Sequence, residues 1–467
     1  MRIEEELKLA GYFWLPSNLE KKIPGTLIIK IGGKIELEII GHFSDSYPSS
    51  NNDNIDFKRV IGHVEKLEFV TLENCFYTNK NYSFGGISKS KINADLALSG
   101  VEYEQDEVIT FDSFNFSIDG LEEWVGISGI SVEHNNDFLG AKIQFQQPDF
   151  LSYQLKDGLR LEIKFGHSMS MSPNPINLEL SQNTFFKVIS EKSLNIDEIA
   201  FYIHKFVTFL NFAIDANISL KSVYCFSNSF TREVNDINRP EPIGLYYASS
   251  PFDEKIPKIE WHTMLFRFVD IKDRFNEIID KWLGAYENIS PSLNLYFSTK
   301  TGAQKYVDGQ FLALAQALET YHRRTSDETY VTKKEFKALL NEMKSKCPEK
   351  HKDWLAGRLD NGNEISLRNR LNRIVESFKS IIGTDDEVEL IIKLIVDTRN
   401  YLTHYNPKLE KKAASGQNLW NLCRKMEAIL QLHLLKELGF NESEISSVLN
   451  NTYKFKNKLQ NTSILTT

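Results

Sequence analysis

Cysteine is scarce in this sequence: the four cysteines, Cys75, Cys225, Cys347 and Cys423, are spread over 467 residues. No two of them stand at the short spacing of a zinc site, and their scatter is not that of a disulfide framework. We therefore expect free thiols in a reducing compartment, each packed as a small core residue.

Long apolar runs are also missing. No stretch approaches the roughly 20 apolar residues that span a bilayer. The first six residues include three glutamates and lack the apolar segment of a signal peptide. The sequence therefore predicts a cytoplasmic protein without a membrane partner.

Several familiar catalytic motifs are absent. The chain has no phosphate-binding glycine-rich loop, no His-Glu-x-x-His and no nucleophile elbow, and its acidic residues form no recognisable two-metal set. We therefore expect no cofactor and no metal site, and any nuclease chemistry in this chain should be metal-independent.

The composition is that of an ordinary globular protein, with 41% hydrophobic and 25% charged residues, and its length allows two or three domains. Charge is unevenly distributed. Residues 1–299 contain 28 basic and 42 acidic side chains, whereas residues 300–467 contain 27 basic and 21 acidic ones. A mildly basic C-terminal part is compatible with a polyanionic ligand, although the same excess is also compatible with an ordinary solvated surface.

The N-terminal part alternates with the period of β-strands. The predicted strands are residues 26–31, 35–40, 57–61, 66–72, 142–146, 160–165, 185–190 and 219–226. Gly32 and Gly33 predict a hairpin turn, and residues 44–56 a polar loop. Inserted helices are predicted at 196–213, behind a capping box of Asn195 and Glu198, and at 271–283. This region should be a sandwich or an open barrel.

The C-terminal part shows helical spacing instead. Helices are predicted at residues 308–324, 333–346, 366–378, 385–405 and 416–438, with a short capped helix after Asn441. We expect an α+β multidomain chain: a β-rich domain over residues 1–290, a junction at 288–298, an all-α bundle over 300–450, and a flexible tail at 451–467.

The most informative stretch is the end of the helix predicted at 385–405. Thr384 and Glu387 form a capping box at its start, and Pro407 forbids continuation beyond its end. Its last turns contain Arg399, Asn400 and His404. Histidine can transfer protons near neutral pH and arginine can hold two phosphate oxygens, so this trio is our candidate catalytic site. The alternative is that both cations only complement the helix dipole.

Segments near both ends of the chain carry a family resemblance. Arg399 and His404, with the polar Asn400 after the arginine, resemble the signature of the HEPN superfamily. Residues 311–323, FLALAQALETYHR, resemble the first helix of the ApeA-like HEPN group. GYFWLP at 11–16, PGTL at 24–27 and LEIIG at 37–41 resemble the opening of the ApeA N-terminal domain. The chain is thus similar to an ApeA N-terminal domain fused to a HEPN domain.

The resemblance implies a metal-independent endoribonuclease of bacterial antiphage defence that acts by abortive infection. The RNA 2′-hydroxyl would attack the adjacent phosphate. His404 would transfer protons, Arg399 would hold the phosphate, and Asn400 would orient His404 or the phosphate. HEPN domains generally pair, so a homodimer would combine two motifs in one cleft. RNA, including structured RNA such as tRNA, is the expected partner, and a phage-derived trigger would act on the N-terminal domain.

Further residues are assigned less directly. Tyr401 and Tyr405 could stack on a base or simply pack in the bundle. Glu319 and Arg323 could line the dimer cleft or form an ordinary helix ion pair. Related HEPN toxins often carry a modifiable tyrosine two residues after the histidine, where this chain has Asn406, which puts silencing by that route in doubt. The alternative function is a non-catalytic HEPN module that binds a nucleotide or a protein, and a third class is a metal-dependent DNA nuclease.

Overall fold

The computed structural model describes residues 1–3, 5–43, 56–136, 139–172, 176–234 and 236–460. The chain divides into two compact units, Met1–Asp280 and Lys281–Thr467. Most of the loop predicted at 44–56 lies outside the described residues. None of the helices formed by the described residues is long and apolar enough to cross a bilayer.

The first unit contains the strands and three helices. The strands are β1 (Leu7–Leu15), β2 (Asn18–Ile29), β3 (Ile35–Ile40), β4 (Asp56–Val64), β5 (Glu68–Asn81), β6 (Lys89–Ala94), β7 (Leu96–Ser99), β8 (Thr110–Ile118), β9 (Ile130–His134), β10 (Ala141–Phe145), β11 (Leu151–Gln154), β12 (Leu159–Met171), β13 (Leu178–Asn195), β14 (Leu220–Phe226), β15 (Thr231–Val234), β16 (Ile237–Pro240) and β17 (Ile243–Tyr247). Its helices are α1 (Leu121–Val125), α2 (Ile196–Ile214) and α3 (Phe268–Ile271). The predicted β-rich fold with inserted helices is confirmed.

Six strands close into a small barrel in the order β1-β2-β3-β6-β5-β4, with β4 returning to β1. Its interior is filled by apolar side chains such as Phe13, Leu27 and Leu72. Gly11 and Gly25 stand opposite each other in the register of β1 and β2. A Cβ on Gly11 would lie 2.2 Å from the carbonyl oxygen of His63, so only glycine lets β4 approach β1 this closely.

The sheet continues from β5 through β7, β17, β14, β8, β13 and β12 to β11. One face of this extension packs on α2, where the Phe206 ring lies 5.6 Å from that of Phe116 and 5.8 Å from that of Phe186. The predicted capping box of Asn195 and Glu198 begins α2. The opposite face of β8, β13 and β14 carries polar and aromatic side chains.

The second unit is helical. Its helices are α4 (Phe275–Lys300, whose first residues belong to the first unit), α5 (Val307–Thr325), α6 (Lys333–Lys346), α7 (Lys352–Leu359), α8 (Leu367–Glu376), α9 (Lys379–Ile382), α10 (Asp385–His404), α11 (Pro407–Glu410), α12 (Gly416–Glu437), α13 (Glu442–Asn451) and α14 (Tyr453–Gln460). α12 is the central helix, because nearly every side chain from Lys425 to Leu435 is buried. The predicted helical bundle is confirmed.

Two local predictions differ from the structure. The junction predicted at 288–298 is instead part of α4, which continues through Pro291 because Ile289, Leu293 and Tyr296 prolong its buried stripe. The flexible tail predicted at 451–467 is helical over Tyr453–Gln460, and residues 461–467 lie outside the described residues. Phe455 and Leu459 are buried there, so apolar contacts order this segment.

His433 on α12 provides a pH-dependent contribution to stability. Burial lowers the pKa of His433 to about 4, and its Nε2–H donates to the Ile374 carbonyl at 2.8 Å. An unfolded histidine titrates near pH 6.5, so between these values the unfolded chain binds more protons than the folded chain. This contribution is therefore complete above pH 6.5 and is lost as the pH falls towards 4.

We expect the wild-type free energy of unfolding to fall by about 2 kcal/mol through this group between pH 7 and pH 5. His433→Gln retains an N–H donor but does not titrate, so its free energy of unfolding should fall by about 2 kcal/mol less than that of the wild type over the same pH interval. Urea denaturation at pH 7 and pH 5 measures the free energy of unfolding of both proteins. Identical pH dependence in the two proteins would contradict a neutral, buried His433.

Candidate functional site

α10 is defined by signals at both of its ends. The Thr384 hydroxyl accepts a hydrogen bond from the Glu387 amide, and the Glu387 carboxylate accepts from the Thr384 amide and hydroxyl. These bonds to Thr384 lower the pKa of Glu387. The predicted capping box is therefore confirmed, and Ile391, Ile392 and Ile395 are among the side chains that bury the apolar face behind it.

The helix ends at an exposed tip. Tyr405 adopts a left-handed conformation, with φ 48° and ψ 40°, which terminates α10 after His404. The Asn406 side chain then accepts a hydrogen bond from the Lys408 amide and caps α11, which begins with Pro407. The left-handed Tyr405 and the capping Asn406 thus turn the chain away and leave Thr403 and His404, on one side of the last turn of α10, exposed.

Thr398 anchors this turn from the buried side. Its side chain is fully buried, and its hydroxyl accepts a hydrogen bond from the Ala414 amide at 2.8 Å. Residue 414 immediately precedes α12, so this bond ties the end of α10 to the start of the central helix. Sequence reasoning missed Thr398, because nothing local indicates a partner 16 residues away.

The three predicted catalytic residues lie together at the tip. Arg399 and Asn400 are half-buried, and Nη1 of Arg399 donates to Oδ1 of Asn400 at 3.3 Å. His404 is exposed, and its imidazole makes no hydrogen bond or ion pair with any residue that the structure describes. Asn400 and His404 are four residues apart and therefore share one helix face. The tip offers a guanidinium held by an amide beside an imidazole open to solvent.

The two tyrosines also belong to the tip. The rings of Tyr401 and Tyr405 meet edge to face, with centroids 5.6 Å apart. Tyr401 is half-buried and Tyr405 is 65% exposed. Tyr405 is thus available to an aromatic ligand, whereas Tyr401 mainly supports it.

Glu319 and Arg323 lie elsewhere in the protomer. They form an ion pair of 3.0 Å on α5, and Arg323 also pairs with Glu364. Their neighbour Tyr321 donates to Glu437 in the last turn of α12. The α10 tip is tied to the start of α12, and α12 is about 30 Å long. The structure therefore does not bring this pair to Arg399, Asn400 and His404 within one chain.

A buried polar cluster at that far end was not predicted. Arg370 is 3% exposed and donates from Nη1 to Nδ1 of His322 at 3.2 Å. Burial and the Arg370 charge lower the pKa of His322, which favours the neutral ring. Arg370 precedes Leu371 and stands four residues before Ile374, two members of the apolar stripe of α8. Residues four apart on a helix share a face, so the spacing of Arg370 from the apolar Ile374 was the sequence signal that Arg370 is buried.

Removing the Thr398 hydroxyl tests its role at the tip. In Thr398→Val the Ala414 amide is left buried without an acceptor, which should cost about 1–3 kcal/mol of unfolding free energy. Thr403→Val is the matched control, because the Thr403 hydroxyl bonds only to the Arg399 carbonyl on the exposed surface. Urea denaturation should show a change within about 0.5 kcal/mol for the control. Equal losses in both variants would contradict the anchoring role.

Comparison with known families covers most of the chain. Residues 8–282 match ApeA N-terminal domain 1, and residues 312–444 match the Apea-like HEPN domain, which includes Arg399, Asn400 and His404. No curated protein and no solved structure gives a significant match. Because the first match alone spans more than half of the chain, the protein belongs to the ApeA family and consists of an ApeA N-terminal domain followed by an ApeA-like HEPN domain.

Proposed function

We propose that this protein is a metal-independent endoribonuclease of bacterial antiphage defence. The observation that carries the proposal is the solvent-exposed, unpartnered imidazole of His404 beside the Arg399–Asn400 pair at the open end of α10. HEPN domains are often ribonucleases, and this tip lies within the HEPN match. A histidine committed to packing would instead be buried and bonded, as His433 is.

The proposed reaction uses the RNA's own nucleophile. The 2′-hydroxyl oxygen forms a bond to the adjacent phosphorus, and its proton passes to the neutral imidazole of His404 in one copy of the chain. The bond from phosphorus to the 5′-oxygen breaks, and that oxygen takes a proton from the protonated imidazole of His404 in the second copy. Arg399 holds the phosphate and stabilises the developing charge, and Asn400 positions Arg399 through their hydrogen bond. The products are a 2′,3′-cyclic phosphate and a 5′-hydroxyl, and DNA is not cut.

The site is composite in this proposal. One tip supplies one imidazole and one guanidinium, whereas the reaction needs a base and an acid. HEPN domains typically act as dimers and bind RNA, so a homodimer through this domain would place two tips in one cleft. Exposed Tyr405 would stack on a base beside the scissile phosphate.

We further propose that one domain senses infection and the other cuts RNA, so that together they cause abortive infection. The acidic ApeA domain would respond to a phage-derived trigger, and the more basic HEPN domain would then cut cellular or phage RNA, with tRNA as a candidate target. The excess of basic over acidic residues beyond residue 300 supports a polyanionic substrate for that domain.

Replacing His404 tests catalysis directly. We expect His404→Ala to lower the rate of RNA cleavage by about 100-fold or more, since proton transfer by a positioned side chain contributes that much. Cleavage is followed on labelled RNA with analysis of the termini. His351→Ala is the matched control, because His351 is also exposed on the helical unit and should leave the rate unchanged.

The other outcomes separate the remaining functions. If the wild type does not cleave RNA and His404→Ala folds normally and still protects against phage, the domain is a binding module and not this enzyme. If His404→Ala cleaves RNA as fast as the wild type, His404 is not the proton-transfer residue. Loss of wild-type cleavage on adding a chelator, or cleavage of DNA, would favour a metal-dependent nuclease. A 3′-hydroxyl terminus would exclude attack by the 2′-hydroxyl.

Mixing subunits tests the composite site. When wild-type and His404→Ala chains exchange freely at equal amounts, about one quarter of the dimers carry two imidazoles, so about one quarter of the wild-type activity should remain. Independent active monomers would retain about half of it. Mixing with His351→Ala should leave full activity, which controls for damage during exchange.

A further inference from the structure

A pocket of about 700 Å³ lies in the ApeA domain, apart from the HEPN tip. Its floor is the face of the sheet that α2 leaves uncovered, and its residues come mainly from β8, β13 and β14. Ile3 and Leu7, before and at the start of β1, also line it. The pocket is therefore formed by this sheet face together with the start of the chain.

The sheet register places the polar groups of this face side by side. Glu162 on β12 stands opposite Lys187 on β13, which stands opposite Asn115 on β8, which in turn stands opposite Tyr224 on β14. These side chains alternate with core residues such as Phe116 and therefore point away from α2. Four consecutive strands thus present a carboxylate, an ammonium, an amide and a phenol ring in one row.

One side-chain oxygen on this face has no partner. Asn115 lines the pocket, and its Oδ1 is buried and makes no hydrogen bond within the part of the chain that the structure describes. Buried polar atoms are normally satisfied, so this oxygen is available to a hydrogen-bonding group of a ligand.

Aromatic rings and hydroxyls flank this oxygen. Phe185 and Tyr224 line the pocket, and the Tyr224 ring is 44% exposed. The hydroxyls of Ser117 and Ser222 lie 2.8 Å apart across the strands next to it. A flat, apolar ring with polar edges fits such a surface, since it can stack on the aromatics while its edge bonds to Asn115.

The face beside the pocket carries excess positive charge. Glu162 is shared between Arg160, at 3.4 Å, and Lys164, at 3.3 Å. Lys187 makes no ion pair among the described residues, its Nζ lies 5.7 Å from the centroid of the Phe226 ring, and burial, followed by the Lys164 charge, lowers its pKa. An anion placed here would favour the charged form of Lys187. Within the pocket lining, Arg2 and Lys221 are balanced by Glu5 and Glu122, so Lys187 is the cation that favours an anion.

We propose that this pocket binds a nucleotide, with the base against Phe185, Tyr224 and the Asn115 amide oxygen. The phosphate would extend beyond the pocket lining towards Lys187, which stands opposite Asn115 in the register of β13 and β8. The nucleotide is either a free molecule or one unit of an RNA strand. This site is independent of the HEPN tip and does not require that the protein cleaves RNA. It would give the ApeA domain a ligand of its own.

Binding is tested on the full-length chain. AMP, GMP, CMP and UMP, each at up to about 1 mM, are titrated by calorimetry, and adenosine and inorganic phosphate are tested separately. We expect one of two results. Either at least one mononucleotide binds, or no mononucleotide binds but a short oligoribonucleotide of mixed sequence does. The oligonucleotide is tested in the His404→Ala background so that cleavage cannot interfere. Binding of a mononucleotide identifies a free ligand, whereas binding of the oligonucleotide alone identifies a strand.

Variants locate the ligand. Asn115→Leu removes the unpartnered amide oxygen at similar volume, so it should retain or raise the melting temperature while weakening binding at least tenfold. Lys187→Met should weaken nucleotide binding but leave any adenosine binding unchanged. Asn228→Leu, on the exposed segment after β14, is the matched control and should bind normally. The proposal is overturned if no nucleotide or oligonucleotide binds the wild type, or if Asn115→Leu binds like the wild type.

Discussion

The hydrogen bond from the Ala414 amide to the Thr398 hydroxyl ties the end of α10 to the chain before α12. The helix buries one face in the bundle as far as Leu402. Beyond it, the left-handed Tyr405 and the capping Asn406 turn the chain aside, and α12 begins only after residue 415. A buried anchor next to Arg399 holds the polar side of the last turns in place without covering His404. Rigid support of this kind is what the proposed catalytic role would require of the scaffold.

The bundle around this anchor is organised by polar groups buried in α12. Gln431 donates to the Tyr296 hydroxyl on α4 at 2.9 Å, His433 donates to the Ile374 carbonyl on α8, and Lys425 donates to the Leu459 carbonyl on α14 at 2.6 Å. Apolar contacts alone would tolerate sliding of one helix along another, whereas each of these bonds requires one register. The start of α12, and with it the tip of α10, is therefore held by contacts along the whole central helix.

The sequence predicted those parts of the structure whose signals are local. The capping boxes at Asn195, Thr384 and Asn441 each lie within four residues, and all three are present. The junction predicted at 288–298 was wrong, because the buried stripe of α4 continues past Pro291 and outweighs the missing hydrogen bond. The closure of the barrel between β5 and β6, the bond to Thr398 and the unpartnered Asn115 depend on residues distant in sequence. For the candidate site, the sequence indicated the trio at the tip but neither its anchor nor the separation of Glu319 and Arg323 from it.

The spacing of Arg399 and His404 on α10 explains why the proposed reaction requires a site made from two copies of the chain. Arg399 and His404 are five residues apart, which on a helix is a rise of about 7.5 Å and a rotation of about 140°. In-line displacement at phosphorus puts the attacking and leaving oxygens on opposite sides of the phosphate, so a single imidazole cannot reach both. A two-fold axis beside the tip would place a second His404 on the far side, with the two arginines between them. Under this proposal, His404 is exposed because the groups that it would contact, the RNA and the second tip, lie outside its own chain.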